Sequence, residues 1–438
     1  MVRYTKEDLE KKYQEGFEAG KKEFEAKKSI KKKSISSEKC QKEKKRISVD
    51  LTCSVSDLCS SIELVNNAIS LMPTHPILAN ILFVAESKFN KISLTGFDLN
   101  LGILIAFEAK NVKRDVAFTL PAKLLLDFLK KFPSSSLLSI SHQNDSVFID
   151  IERASYKFEV SQVTKGYPQL PFVESGISLN IKSSSFLKAI NSTIFASSKD
   201  ESKQLLTGVN FKFKQNHIES ASTDGHRLAV NLIDNIENPI SNEDDISITI
   251  PTSSLLEIEK LVGLGKSENS IKLFYDTGNQ NCINDKGQVV FVLSNGIITT
   301  RTLNGIYPNY SQLIPDTFSN EFIFDRIDLI NSIERLGVLA NQQSNVIKFK
   351  FDPKNIKISV DVQDLATGFE CFETASAGDD FEEFDIAFNF SYLHEGLKVI
   401  ASKNVILKCN LPTTPAVLVP EDKFNSFTYL VMPVQLRA

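Results

Sequence analysis

The chain has no tryptophan, three methionines, five histidines and six cysteines in 438 residues, and each scarcity excludes something. Its cysteines (Cys40, Cys53, Cys59, Cys282, Cys371 and Cys409) are scattered, with no C-x-x-C pair. Neither a zinc ribbon nor a disulfide framework is expected, and a reducing compartment suits them. No two of His75, His142, His217, His226 and His394 stand at metal-ligand spacing. H-E-x-x-H and the G-x-x-x-x-G-K-[ST] phosphate loop are both missing. No apolar run approaches the roughly 18 residues that cross a bilayer. The N-terminal charges are followed by no apolar stretch, and their many glutamates argue against a transit peptide. The expectation is no metal, no cofactor, no membrane segment and a cytoplasmic location.

What is present is ordinary globular material, 42% hydrophobic and 24% charged, long enough for two to four domains. The 31 phenylalanines are unusual but carry no functional reading. Net charge is −4, unevenly placed: residues 1–46 carry +7 and the remainder −11. An acidic body repels DNA as a whole, so a DNA contact must come from a locally basic surface or from the extension. Within that extension Leu9, Tyr13, Phe17 and Phe24 make a narrow apolar stripe on a charged helix. A solvated tail, a docking helix and a basic arm on nucleic acid all remain open for it.

From Arg46 onward the chain repeats itself three times. Each unit has an alternating apolar strand, a polar turn and a second alternating strand: Ile81–Ala85 then Lys91–Asp98, Val209–Phe213 then His217–Asp224, Ile347–Phe351 then Asn355–Val362. With Ile92, Ile218 and Ile356 as markers the periods are 126 and 138 residues, the size of a domain. Each unit also offers two helices. The first are expected at Val55–Met72, Ser184–Phe195 and Arg326–Leu339. The second follow Leu120-Pro121, Ile250-Pro251 and Phe388-Asn389, with proline at a helix entrance. The remainder alternates at period two, as half-buried antiparallel strands do. Three α+β domains follow, at 47–168, 169–305 and 306–438 behind the extension 1–46. The junctions fall at Gly166-Tyr-Pro-Gln-Leu-Pro and Gly305-Ile-Tyr-Pro-Asn-Tyr.

Ser222, Asp224 and His226 are the ingredients of a hydrolase triad. On one strand they would line a single face in sequence order, whereas a triad needs its histidine to bridge separate elements. An Asp-Gly turn closing a strand is the simpler reading. The acidic cluster Asp379-Asp-Phe-Glu-Glu has neither a nearby histidine nor a calcium-loop spacing, and reads as a solvated loop. No catalytic residue is expected.

Several segments together resemble the bacterial DNA polymerase III beta subunit family, the sliding clamps. They are Leu206-Thr-Gly-Val-Asn-Phe, Ala221-Ser-Thr-Asp-Gly-His-Arg-Leu-Ala-Val, Tyr429-Leu-Val-Met-Pro-Val-Gln-Leu, Pro73-Thr-His-Pro-Ile-Leu and Leu94-Thr-Gly-Phe-Asp-Leu, with Asn389-Phe-Ser-Tyr and Tyr307-Pro-Asn-Tyr. The similarity runs over about 47–436, in order and in the matching repeats. It implies a non-catalytic subunit of a DNA-directed DNA polymerase holoenzyme: three clamp domains, antiparallel sheets outside and two helices per domain inside, in a head-to-tail homodimeric ring. The implied partners are a second copy of the chain, double-stranded DNA, the replicative polymerase's catalytic subunit, the clamp loader and other clamp-binding repair proteins.

The resemblance also implies sites. An apolar groove for partner peptides would comprise Leu206, Thr223, Gly225, His226, Arg227, Leu228, Pro308, Leu313, Asn389, Tyr392, Val431, Met432, Pro433 and Val434. Lys123, Lys130, Lys131, Lys188, Lys203, Lys260, Arg335, Lys398 and Lys403 would face DNA from the inner helices, diluted by Glu257 and Glu259. Phe158 and Val160 would meet Val338 and Leu339 of the other chain. Three departures accompany the match. Gln312 stands where the family often has arginine, and Met72 replaces the arginine before Pro73. Arg437-Ala438 runs past the usual terminal leucine. A three-domain clamp-like paralogue that binds partners without forming the replicative ring is the alternative.

Overall fold

A computed structural model describes residues 49–438 apart from 71, 161–165, 174–176, 215–216, 235–245, 265–269, 277–286, 341–344, 354, 374–382, 423–426 and 436–438. The extension 1–46, most of the acidic cluster at 379–383, Cys40, Cys282 and Arg437-Ala438 therefore lie outside the described residues.

One order of elements recurs three times. The first run is β1 (Leu51–Ser54), α1 (Val55–Asn66), β2 (Asn80–Glu86), β3 (Lys91–Phe97), β4 (Leu101–Glu108), the two-residue β5 (Asn111–Val112), β6 (Val116–Pro121), α2 (Ala122–Leu129), β7 (Leu137–Gln143), β8 (Ser146–Ile151) and β9 (Ala154–Glu159). The second is β10 (Ile177–Lys182), α3 (Ser183–Thr193), β11 (Gly208–Phe213), β12 (His217–Thr223), β13 (Arg227–Asp234), β14 (Ile246–Pro251), α4 (Thr252–Leu264), β15 (Ser270–Asp276), β16 (Gln288–Val292) and β17 (Gly296–Arg301). The third is β18 (Asn320–Asp325), α5 (Arg326–Ala340), β19 (Val346–Phe351), β20 (Asn355–Val362), β21 (Ala366–Glu373), β22 (Phe384–Asn389), α6 (Phe390–Val399), β23 (Asn404–Cys409), β24 (Ala416–Pro420) and β25 (Phe427–Val431). With β5 set aside, each run is strand, helix, four strands, helix, three strands. The repeat heard in the alternating apolar residues is the architecture itself.

Local chemistry sets the boundaries. Ser54 caps α1 by accepting from the Ser56 N–H at 3.1 Å, and Asn389 caps α6 through Ser391 N–H at 3.0 Å. Pro121 and Pro251 are the last residues of β6 and β14, both edge strands, where a missing N–H breaks no ladder. Helix α1 is shorter than expected. It stops at Asn66 rather than Met72, because Asn66-Asn67 is a poor helical pair and Ala68 N–H closes back on Val65 O at 3.0 Å.

The described chain packs as two compact units, one running to Leu179 with Leu256–Arg301 and one of Asn180–Leu255 with Thr302 onward. The first unit holds a sheet ordered β5-β1-β7-β8-β9 and an eight-stranded sheet ordered β10-β15-β16-β17-β4-β3-β2-β6. Here β17, last strand of the second repeat, adds to β4 of the first, with Gly296 opposite Ile105. Only glycine fits there, since a Cβ on Gly296 would lie 2.3 Å from Leu104 O. The second unit repeats the device. Its eight-stranded sheet is ordered β14-β11-β12-β13-β25-β24-β23-β18, with Asn231 opposite Phe427, beside a four-stranded sheet β21-β20-β19-β22. Helices cover the sheets in pairs, α1 on α2 and α5 on α6. Phenylalanine does the filling that tryptophan does elsewhere. Phe83 stacks on Phe118 at 4.6 Å, and Phe322 and Phe384 stack on Phe351 at 4.4 and 4.9 Å. Each linker is pinned by a tyrosine. Tyr167 donates to Thr95 O at 3.1 Å, and the Thr223 N–H donates to the Tyr307 hydroxyl at 3.1 Å.

Burial separates the cysteines. It pushes the thiols of Cys53 and Cys409 up to about 12, whereas Cys371 lies exposed on β21. The thiolate is the reacting species, so Cys53 and Cys409 should be modified more than tenfold slower than Cys371 in the native protein at pH 8. Stopped-flow labelling in a Cys40→Ser, Cys282→Ser background checks this. The fast phase should vanish in Cys371→Ser and persist in Cys409→Ser.

Candidate functional site

The run Thr223-Asp-Gly-His-Arg is a turn, joining β12 to β13. Gly225 takes φ +96°, a conformation open to glycine. Thr223 Oγ1 donates to Arg227 O at 2.5 Å and accepts from Gly225 N–H at 3.1 Å. Asp224 Oδ1 accepts from the His226 and Arg227 N–H groups at 2.9 and 3.1 Å. The Asp-Gly turn expected from the sequence is there, and the three triad ingredients point different ways. Ser222 is buried with its hydroxyl donating to Thr193 O, Asp224 faces Arg227, and His226 is exposed.

Arg227 is only 6% exposed and is used up inside the chain. Its Nε donates to Asp224 Oδ2 at 3.0 Å, Nη2 to Phe195 O at 2.7 Å, and Nη1 to Glu395. The guanidinium lies 4.6 Å from the Tyr392 ring centroid. Burial opposes its charge, but Tyr429, Glu395 and Asp224 outweigh burial and hold it above the ordinary arginine range. Expected as a groove residue, Arg227 is buried and bound within the chain. On its outer side the His226 ring stacks with Tyr392, centroids 6.4 Å apart. The Met432 N–H donates to His226 O at 2.9 Å, and the Val434 N–H to Ala387 O at 2.7 Å. Met432 remains 38% exposed.

The opposite face of the same sheet carries an apolar cluster. Leu228 and Leu430 are register partners there, packed with Tyr307, Tyr310, Val417 and the half-buried Leu205, Leu206 and Ile314. Tyr310 donates to Glu219, and the Lys212 ammonium stands 4.0 Å from its ring centroid. These contacts anchor the linker that carries Pro308 and the exposed Leu313. Val431 needs correction. It packs with Ala196 and Phe195 in the helix-side core, because successive strand residues point to opposite faces. Only the pairing of β25 on β13, across a repeat junction, decides this; the junction motif Tyr307-Pro-Asn-Tyr supplies the two tyrosines of the apolar cluster.

The cationic set divides. Lys123, Lys188, Lys260, Arg335 and Lys398 do lie on helices, and Lys130 and Lys131 just past the end of α2. Lys203 does not; it sits in the 3-10 segment Glu201–Thr207 at non-helical φ −99°, ψ 52°. Nor does Lys403, which lies beyond α6 in the turn before β23. Helical spacing was extended past breakers that end these helices. Four cations are met by acids of the same chain. Lys130 pairs with Glu63 and Lys260 with Glu257, while Arg335 grips Glu370 through two hydrogen bonds. Lys398 stands 3.6 Å from Glu334, which also binds His394.

Of the four residues expected at the assembly contact, Phe158 is on an edge strand, Val160 follows it, and Val338 and Leu339 are on α5. Among the described residues β9, with the half-buried Phe158, pairs with β8 alone and β21 with β20 alone. Val160 is nearly buried, its N–H donating to Asp145 O at 2.9 Å. Val338 is 65% exposed on α5 beside the half-buried Leu339.

Three α+β repeats that add edge to edge, with helix pairs on their sheets and an apolar site at a repeat junction, define a protein of the DNA-clamp class. Models of the DNA polymerase III beta subunit match the three repeats: the N-terminal domain at 49–171, the central domain at 180–309 and the C-terminal domain at 311–435. The chain is 37% identical over 390 residues to a beta sliding clamp of Synechococcus elongatus, covering 89% of this chain and all of that one. A beta sliding clamp of Synechocystis is also 37% identical, covering 88% and 99%. The Bacillus subtilis DNA polymerase sliding clamp structure superposes with a TM-score of 0.78 at 26% identity, covering 88% and 99%. The chain belongs to the DNA polymerase III beta subunit family, the bacterial sliding clamps. It is a non-catalytic processivity subunit of DNA replication that works with DNA and a DNA polymerase.

Proposed function

We propose that two copies of this chain close head to tail into a cytoplasmic ring around duplex DNA. In this reading the domains are 47–168, 169–305 and 306–438, and the sheets lie outside. The observation that carries it is the pairing rule of the repeats. β17 of the second repeat adds to β4 of the first, and β25 of the third adds to β13 of the second. By the same rule β21 of the third calls for a β9, and the free β9 of a second copy supplies it.

The side-chain contacts repeat as well. Phe195 and Val338 each stand 12 residues after the first residue of α3 and α5, and Tyr429 and Tyr156 are each the third residue of β25 and β9. Phe195 packs on Tyr429 with ring centroids 5.3 Å apart, so Val338 should pack on the second copy's Tyr156. Phe158, equivalent to Val431, then meets Leu339, equivalent to Ala196.

A ring holds DNA by topology, and base-specific contacts would only slow its sliding. Lys123, Lys130, Lys131, Lys188, Lys260, Arg335 and Lys398 offset phosphate charge without reading sequence. The site around His226, Tyr392 and Met432, at the strand ends beside the Leu228–Leu430 cluster, takes a short segment of the polymerase's catalytic subunit. The clamp loader and repair proteins take the same site in turn. Loading onto a nicked circular plasmid tests the topology. Retained protein should leave the DNA within minutes of linearisation and stay on the intact circle at the same salt. Equal retention on both forms would rule out a ring.

A further inference from the structure

Helix α6 sends two side chains to the β12–β13 turn, Tyr392 and, about one helical turn further on, Glu395. The helix itself is seated without either of them. A Cβ on Gly396 would lie 2.2 Å from the Tyr429 ring, so α6 rests its backbone on β25, and Leu393 and Leu397 are buried in the core. The Tyr429 hydroxyl also donates to Tyr392 O at 2.9 Å. This packing fixes the backbone of Tyr392 and leaves open the direction of its side chain, which is only half-buried.

Two groups of the second repeat stand against that ring. The His226 ring lies 6.4 Å away and within 15° of parallel, and the Arg227 guanidinium lies 4.6 Å from the ring centroid. A guanidinium is planar with its donors in a fixed fork, so what it binds sets how it faces a ring. Its Nε and Nη2 go to Asp224 Oδ2 and Phe195 O, both within the second repeat. Nη1 goes to the Glu395 carboxylate, which comes from the third. Glu395 thus ties the cation to the helix that bears Tyr392.

We propose that Glu395 is a positioning residue of the partner-peptide site, a role that rests on His226, Tyr392 and Met432 being that site. Through Arg227 it holds the Tyr392 ring beside His226 in the orientation a peptide meets. Loss of Glu395 leaves Arg227 both of its second-repeat partners, so no buried charge is orphaned. The Glu395 side chain is 43% exposed, and alanine suits a helix there. The change therefore loosens a side chain and spares the fold.

Titration of the full chain with a fluorescent peptide from the polymerase's clamp-binding segment tests this. Glu395→Ala should bind it about fivefold or more weakly, and Glu395→Gln, which keeps an acceptor for Nη1, within about twofold of the unsubstituted chain. Tyr392→Leu should weaken binding by itself. In that background Glu395→Ala should add less than about twofold, because the ring it orients is gone, whereas a plain loss of stability would act in both backgrounds alike. Dimer mass and retention on circular DNA should not change in any of these variants. Unweakened binding by Glu395→Ala, a full loss that persists beside Tyr392→Leu, or a Glu395→Gln chain no better than Glu395→Ala each overturns the proposal. If neither Tyr392→Leu nor removal of residues 432–438 weakens the peptide, the site is misplaced and the role of Glu395 falls with it. Weakening in those two but not in Glu395→Ala overturns the role alone.

Discussion

Phe158→Asp should turn a species of about twice 48.9 kDa into one of 48.9 kDa at micromolar concentration. Phe158 packs its ring against Phe128 at 5.4 Å, beside Tyr156 at 4.7 Å from the same Phe128. That aromatic group is the equivalent, by repeat, of the residues that seat β25 on β13. An aspartate there removes an apolar anchor and buries an unpaired carboxylate in the closed ring. The dimer dissociation constant should rise by roughly a thousandfold or more, from losses of 2 kcal/mol and above at each of two interfaces. Light scattering reads the mass directly. Val338→Asp should do the same from the other side of the interface, and Leu411→Asp, exposed but remote from β9 and β21, should leave the dimer intact. Since Phe158 is half-buried on an edge strand, each monomer should retain its secondary structure by circular dichroism. A Phe158→Asp protein that stays dimeric would show that β9 is not the closing edge.

Removal of residues 432–438 should weaken binding of the polymerase's clamp-binding peptide by more than tenfold while leaving the dimer whole. The deletion takes away Met432, Pro433 and Val434 together with the two backbone bonds, to His226 O and Ala387 O, that hold this segment in place. It spares Leu430, buried beneath with Leu228, and does not touch β9, β21 or α5. Apolar anchors of this kind each contribute about 2 kcal/mol in peptide sites, and loss of one or two suffices for the expected change. Titration of a fluorescent peptide against both proteins measures it, and long-product DNA synthesis should fail in parallel. Unchanged peptide affinity would place the groove elsewhere.

Much of this was legible in the chain itself. Alternation at period two fixes which residues share a strand face, and its recurrence at Ile92, Ile218 and Ile356 marks three like units, because burial on one sheet face is a local property of sequence. The Thr223-Asp-Gly-His-Arg turn was legible too, since Gly225 and the Asp224 carboxylate satisfy the backbone within five residues. Tertiary structure alone decided the rest. Which face Val431 occupies depends on its pairing with Arg227 across a repeat junction, and a slip of one residue exchanges it with Leu430. Arg227 looks like a ligand-facing cation in sequence, but Phe195, Glu395 and Tyr392, far along the chain, enclose it. Lys203 and Lys403 lost their places on helices because backbone hydrogen bonding ended those helices before reaching them. Local periodicity determined what the elements are; contacts between residues distant in sequence determined which side chains any partner can reach.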